Sequence, residues 1–508
     1  MEKHPVFLIL EAKDLLSILY TLSLGIYIMK NISEKIVKKK IILVTLLCIA
    51  FLLVPTINAK LAPSSYSIST NKASEDDVAT GGDSIYKLLI IAPSAFVDEL
   101  WPLVRHKNNV GVSTRLVTLC DVYDQMYWYG RDRPEKIKYY IKTAMEEWGI
   151  HYVLLVGNYR LMPVRYCSNA DVGSGYDEPR FISELYYADI YDSEGNFSSW
   201  DTNDNGFYGE WFGNTSEDPD IDLYPDVYVG RLACRNELEV RVMVKKIIQY
   251  ETGTYGCEWF NTITVIAGDT YPESLNENWT GNEGEENTLR VLENMSSFEP
   301  VKLWTSDETL TGTKDVLNAI NNGCGFLYFD GHANPYRWST HPPNDAETWI
   351  EGLSVLSMTR LRNREKLPVC VVGGCHNLQF DVHLGKLRED PWYFYTFIPE
   401  CWGWKLTRKI GGGSIATIGC SGLGMTKEDK ESFSGAGDYL EPSFFKHYGV
   451  NGVDILGETW GETISDYLDT YPIDWNTPAA WDSAIDAKTV QQWVLLGDPS
   501  LKIGGYDQ

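Results

Sequence analysis

Positive charge is scarce: 44 Lys and Arg stand against 70 Asp and Glu, a formal net charge of -26. A field of that sign repels phosphate backbones, which argues against nucleic acid as a partner. It suits a solvated extracellular surface, or sites that hold divalent cations. Paired C-x-x-C motifs are also missing, so the 10 cysteines form neither a dense disulfide framework nor a zinc-type ligand spacing. Cys48 lies in an apolar N-terminal run. The cysteines after it are odd in number, which leaves at least one thiol unpaired within an exported chain. Aromatics are plentiful instead, with 17 Trp and 31 Tyr, and favour an extracellular or surface enzyme.

The N-terminus explains the expectation of export. Lys35-Ile-Val-Lys-Lys-Lys40 precedes the apolar run Ile41 to Val54, and Pro55-Thr-Ile-Asn-Ala59 follows. Basic, apolar and small segments in that order are the parts of a secretory signal peptide, and the apolar run is short for a membrane span. Met29 offers a second start that would give a signal of conventional shape; from Met1, Leu15 to Met29 is another membrane-contacting segment. Residues 1–59 are thus read as N-terminal extension and signal peptide, and 60–85, polar and small, as a linker or short pro-segment. Membrane contact is expected only through this region, if it stays uncleaved.

From Lys87 onward, short apolar runs alternate with helical patterns. Strands are expected at Leu88–Ala92, Val112–Leu119, Tyr152–Gly157 and Asp226–Arg231, with helices at Ala95–Arg105, Glu135–Trp148 and Glu237–Glu251. The order then repeats, with strands at Thr262–Gly268, Val301–Trp304, Gly325–Phe329, Pro368–Val372 and Ser414–Ile418, and helices at Asn287–Met295 and Thr313–Asn321. Continuous apolar strands separated by helices imply parallel sheets covered on both faces. The expectation is an α/β chain of two similar subdomains, 86–254 and 255–508. Irregular stretches at 158–225 and 389–410 are long enough to carry binding functions.

In open α/β sheets, ligands bind beyond the carboxyl ends of the strands. Three strands of the second half end at Asp269, at Gly331-His332 and at Gly374-Cys375. A carboxylate, an imidazole and a thiol on one sheet edge suit covalent acyl transfer, in which the thiol attacks, the imidazole manages the proton and backbone N–H groups hold the oxyanion. Each residue alone also reads as structural: a small buried Cys, a hydrogen-bonded His, a turn-capping Asp. Cys370, Cys375, His376 and His332 are the right ligand types for a metal, but their spacing matches no zinc motif.

Phe329-Asp-Gly-His332-Ala-Asn and Val371-Val-Gly-Gly-Cys375-His-Asn377-Leu-Gln-Phe380 resemble the gingipain-type cysteine peptidases, relatives of caspases and legumains. Tyr224-Pro-Asp-Val-Tyr-Val-Gly-Arg231, Gly413-Ser-Ile-Ala-Thr-Ile-Gly419 and Leu496-Gly-Asp-Pro-Ser-Leu501 agree with that family too. The resemblance runs from Lys87 to the end. It implies a caspase-like three-layer αβα fold with mostly parallel sheets, and a secreted cysteine endopeptidase that works through a thioester. It implies Cys375 as nucleophile, His332 as base and Asp269 as the residue that steadies the His. The family's second Gly of the His turn is Ala333 here, whose backbone N–H would serve the oxyanion hole. His376, beside Cys375, receives no role. The family also places an acidic residue to receive a basic P1 side chain, and Glu283 stands nearest to that position. Protein or peptide substrates and no catalytic cofactor follow. A transpeptidase of the same fold, and an inactive cell-surface binding protein, remain open alternatives. By analogy with other Cys–His enzymes, His332 is expected to lower the thiol's pKa by ion pairing.

Asp201, Asn203, Asn205 and Gly206 follow the alternation of an EF-hand calcium loop, but Phe212 stands where its closing Glu belongs. Glu210 would then complete a structural calcium site. The other reading is an Asx-rich turn without metal.

Overall fold

The structure, a computed structural model, describes residues 85–170, 178, 180–274, 281–383, 398–426 and 435–507. The expected signal peptide lies outside the described residues, as does the linker apart from Ile85. All described residues fall in one unit, Ala79–Gln508. Among them, no helix is long and apolar enough to cross a membrane.

The first half runs β1 (Leu88–Ala92), α1 (Val97–Asn109), β2 (Thr114–Thr118), α2 (Leu119–Gln125), α3 (Arg133–Trp148) and β3 (Tyr152–Val156). A small antiparallel pair, β4 (Arg165–Cys167) and β5 (Phe181–Ser183), precedes β6 (Tyr228–Leu232) and α4 (Glu237–Gly253). Local chemistry sets the helix limits. The Asp132 and Asn236 side chains accept from the third backbone N–H of α3 and α4, and α3 stops at Gly149, whose φ of 68° is left-handed. Strands β2-β1-β3-β6 form a wholly parallel sheet in that order. β1 and β3 are buried at every position, as the unbroken apolar runs required.

The second half runs β7 (Thr262–Ala267), α5 (Glu283–Asn294), β8 (Glu299–Trp304), α6 (Thr313–Asn322) and β9 (Phe326–Asp330). A three-stranded antiparallel sheet follows, made of β10 (His332–Ala333), β11 (Arg337–Thr340) and β12 (Ile350–Ser354). Then come β13 (Val369–Val372), α7 (Trp402–Thr407), β14 (Ala416–Cys420), α8 (Ala436–Gly449), α9 (Leu456–Thr470), α10 (Asp482–Gln492) and β15 (Trp493–Leu496). The main sheet has the order β15-β14-β13-β9-β7-β8, parallel except at β15. β15 abuts β6 of the first sheet.

α5 begins at Glu283, ahead of the Asn287 expected from apolar periodicity. Glu283, Glu285 and Glu286 in its first turn complement the positive end of the helix dipole, a signal that apolar spacing does not carry. All the cysteines after Cys48 are free thiols, and most are buried.

Candidate active site

Strands β13, β9 and β7 are parallel neighbours, so their carboxyl ends open on one edge. Gly373-Gly374-Cys375 leaves β13, Gly331-His332 leaves β9, and Gly268-Asp269-Thr270 leaves β7. Cys375 and His332 line one cavity of about 50 Å³, together with Thr270, Tyr271, Asp330, Asp438 and Glu441 among others.

The His332 ring is held tightly. Its Nε2–H donates to the Thr270 carbonyl at 2.7 Å, which leaves the lone pair on Nδ1 in the neutral ring. Tyr271, His341 and Trp349 surround it, with ring centroids 5.7, 5.7 and 5.3 Å away. Burial lowers its pKa, partly opposed by the Thr270 hydrogen bond. The Cys375 Sγ–H faces the Gly424 carbonyl at 3.8 Å. Burial pushes this thiol up to about 11, with the Glu178 carboxylate adding to the rise. Both shifts disfavour the charged forms. The expected ion pair does not figure among the causes of either shift, and burial is the largest cause for both groups.

Ala333 lies in extended strand β10 and needs no left-handed backbone, so alanine fits where the family has glycine. Gly374, by contrast, requires its identity. Its φ is 106°, and a Cβ there would stand 2.6 Å from the Ala333 nitrogen. That close approach brings the Ala333 N–H beside the turn that carries the nucleophile.

Asp269 does not hold the imidazole. Its Oδ2 accepts from the Asn344 N–H at 2.6 Å, and its carboxyl is paired with that of Glu283. Burial raises both carboxyls, and the Asp269 carboxyl adds to the rise at Glu283, which reaches about 7, while the Glu283 contact partly opposes the rise at Asp269. The next residue, through its backbone carbonyl, is what orients the ring. Glu283 in turn accepts from the Tyr271 N–H at 3.3 Å and is not among the residues lining the cavity. The cavity's acidic wall comes instead from Asp330, Asp438 and Glu441. Asp330 stands two residues before His332 and was legible in the His motif. Asp438 and Glu441 arrive on α8 with no local signal.

His376 adopts a left-handed φ of 55° and places Nε2 3.6 Å from Glu178, which also binds Lys488 at 2.9 Å and the Leu423 N–H at 2.9 Å. Among the described residues, no three His, Cys, Asp or Glu are grouped to hold a metal; Cys370 is buried within β13.

The oxygens of the loop at 201–210 accept hydrogen bonds from within the protein. Asp201 accepts from the Asn205 and Gly206 N–H groups at 2.9 and 3.0 Å and from Arg131 at 2.8 Å. Asn203 and Asn205 accept from the backbone N–H groups of Asn205 and Phe207, and Glu210 from the Asn205 amide. Arg131 also binds Asp204 at 2.7 Å. The Arg131 guanidinium supplies positive charge to the loop, and these hydrogen bonds fit the reading of an Asx-rich turn.

A family model, that of peptidase family C25, matches residues 83–504. An uncharacterized protein of Archaeoglobus fulgidus is 26% identical over 395 residues, which cover 72% of this chain and 82% of that protein. Gingipain R2 of Porphyromonas gingivalis is 20% identical over 297 residues, 58% of this chain but 32% of the relative's length, so the chain matches about a third of it. The crystal structure of the Arg-specific cysteine proteinase gingipain R superposes with a TM-score of 0.57 at 16% identity, covering 84% of this chain and 80% of that one. The complex of the pro- and mature domains of Porphyromonas gingivalis RgpB does so with a TM-score of 0.57, also at 16% identity, over 82% and 79%. These likenesses agree with the caspase-like αβα fold described above. The chain belongs to peptidase family C25 and is a gingipain-type, cysteine-type peptidase.

Proposed function

We propose that this chain is an exported endopeptidase that hydrolyses peptide bonds after basic residues, with Cys375 as nucleophile and His332 as general base. The observation that carries the reading is that both side chains line one cavity at the carboxyl ends of adjacent parallel strands. In this mechanism the substrate carbonyl carbon is attacked by Sγ while the thiol proton passes to His332 Nδ1. The Ala333 N–H stabilises the oxyanion. His332 then returns the proton to the leaving amine, and water, deprotonated by the same nitrogen, hydrolyses the thioester. A thiol pushed up by burial makes the base obligatory, because few thiolates exist before substrate arrives.

The preference for a basic P1 residue finds support in the three carboxyls that line the cavity. Export rests on the N-terminal sequence pattern alone. The test is a peptide library digested by wild-type protein and by Cys375→Ala, with products identified by mass spectrometry. Cleavage after Lys or Arg, absent from the variant, is expected. Cleavage that survives in Cys375→Ala would overturn the assignment, and products joined to a second peptide would indicate transfer in place of hydrolysis.

A further inference from the structure

The acidic wall of the cavity has more short contacts than an all-ionised set of carboxyls could satisfy. Tyr328 Oη lies 2.7 Å from Asp330 Oδ2 and 2.8 Å from Glu441 Oε2. Asn287 Nδ2 donates to Tyr328 Oη at 2.9 Å and to Asp330 Oδ2 at 2.7 Å. A phenol has one hydrogen and can donate to one carboxylate only. The other contact requires a hydrogen on a carboxyl. Asp330 already accepts from Asn287, so the consistent assignment has Tyr328 donating to Asp330 and protonated Glu441 donating to Tyr328. Each of the four contacts then has a donor hydrogen, which matters because Asn287, Tyr328, Asp330 and Glu441 are all buried.

Glu441 is also built into the site by backbone proximity. A Cβ at Gly373 would stand 2.7 Å from Glu441 Oε2, so this carboxyl rests directly on the strand end that presents Cys375. The charged and titratable groups around it point the same way. Asp330 on β9 and Asp438 on α8 repel a charge on Glu441, and Glu283 on α5 adds to the field at Asp438. Arg290 on α5 opposes it, donating to the Asp438 carbonyl at 3.1 Å. Tyr271, His332 and Cys375 complete the cavity wall. Burial pushes Asp330 to about 6 against its hydrogen bonds, and burial with repulsion from neighbouring carboxyls pushes Asp438 to about 7 and Glu441 well above the usual carboxylate range.

We propose that Glu441 is a specificity-determining residue that works by proton exchange: it carries a hydrogen in the free protein and releases it to solvent when the cationic group of a P1 side chain binds. This rests on the reading of the cavity as the P1 site. The balance is simple. The carboxyl O–H breaks, the proton leaves to the buffer, and the new carboxylate accepts an N–H from the ligand. Entry of one positive charge is matched by loss of another, so the wall need not hold three buried anions in the absence of substrate. A neutral P1 side chain of the same length releases nothing and gains no partner.

The experiment uses full-length Cys375→Ala, which binds peptide without acylation. Peptides with Lys at P1 and with the uncharged analogue norleucine are titrated by calorimetry near pH 7, in two buffers of different ionisation enthalpy. The Lys peptide should release close to one proton and the norleucine peptide none, and Glu441→Gln should abolish the release. Should Glu441→Gln fail to fold, the wild-type enzyme supplies the second measurement. Its preference for Lys over norleucine in kcat/KM should climb up to about tenfold per pH unit below the Glu441 pKa. Lys binding with identical heats in both buffers, or a preference independent of pH, overturns the proposal. Proton release without any turnover by wild type would sink the peptidase reading and leave this one standing. Turnover with a Lys preference but no proton release would do the reverse.

Discussion

Removal of the base should expose the resting state of the nucleophile. The Cys375 thiol is pushed up to about 11 by burial, so at pH 7 the gap is 11 − 7 = 4 units and about one molecule in 10⁴ holds a thiolate. That gap corresponds to about 5 kcal/mol, which the base must overcome in the transition state by taking the proton as the C–S bond forms. His332→Ala should therefore lower kcat/KM at pH 7 by about 10²–10⁴. The loss should shrink as pH rises, because the thiolate fraction grows about tenfold per pH unit until the thiol titrates. A parallel assay follows alkylation of Cys375 by iodoacetamide in wild-type protein, with Cys375→Ala to subtract the remaining thiols. The rate should rise continuously from pH 6 to pH 9. A plateau of fast alkylation from pH 5 to 7, lost in His332→Ala, would reveal a standing thiolate–imidazolium pair and refute the reasoning from burial.

Three further outcomes follow from the site and its surroundings. Asp269→Asn should cost less than about tenfold in kcat, because Thr270 orients the imidazole through its carbonyl, and His376→Ala should likewise stay active; a dead His376→Ala with an active His332→Ala would reverse the assignment of the base. Calcium and chelator should give the same melting curve, whereas Arg131→Ala should destabilise the fold by about 1–2 kcal/mol, discounted for its partial exposure; a calcium-dependent rise in Tm would restore the metal reading. N-terminal sequencing of exported protein should begin near Lys60, and a mature form that keeps Met1 or Met29 would refute cleavage after Ala59.

The sequence by itself determined the strands and the chemistry at their ends. Leu88–Ala92 and Val369–Val372 are apolar without interruption, and burial on both faces leaves a parallel sheet as the natural arrangement. Asp269, His332 and Cys375 follow three strands of the second half, so the common edge was legible in the sequence. What each group does there was not. The His332 partner is the carbonyl of Thr270, and a backbone carbonyl is the same in every residue, so no motif marks it. Glu441 and Asp438 reach the cavity on α8, and Arg131 reaches Asp201 across 70 positions of sequence. Periodicity is a local property, fixed by which face of an element is dry. The partner of a carboxyl, and with it the proton it carries, depends on which distant segments the fold delivers to the same few ångströms, and only the tertiary structure decides that.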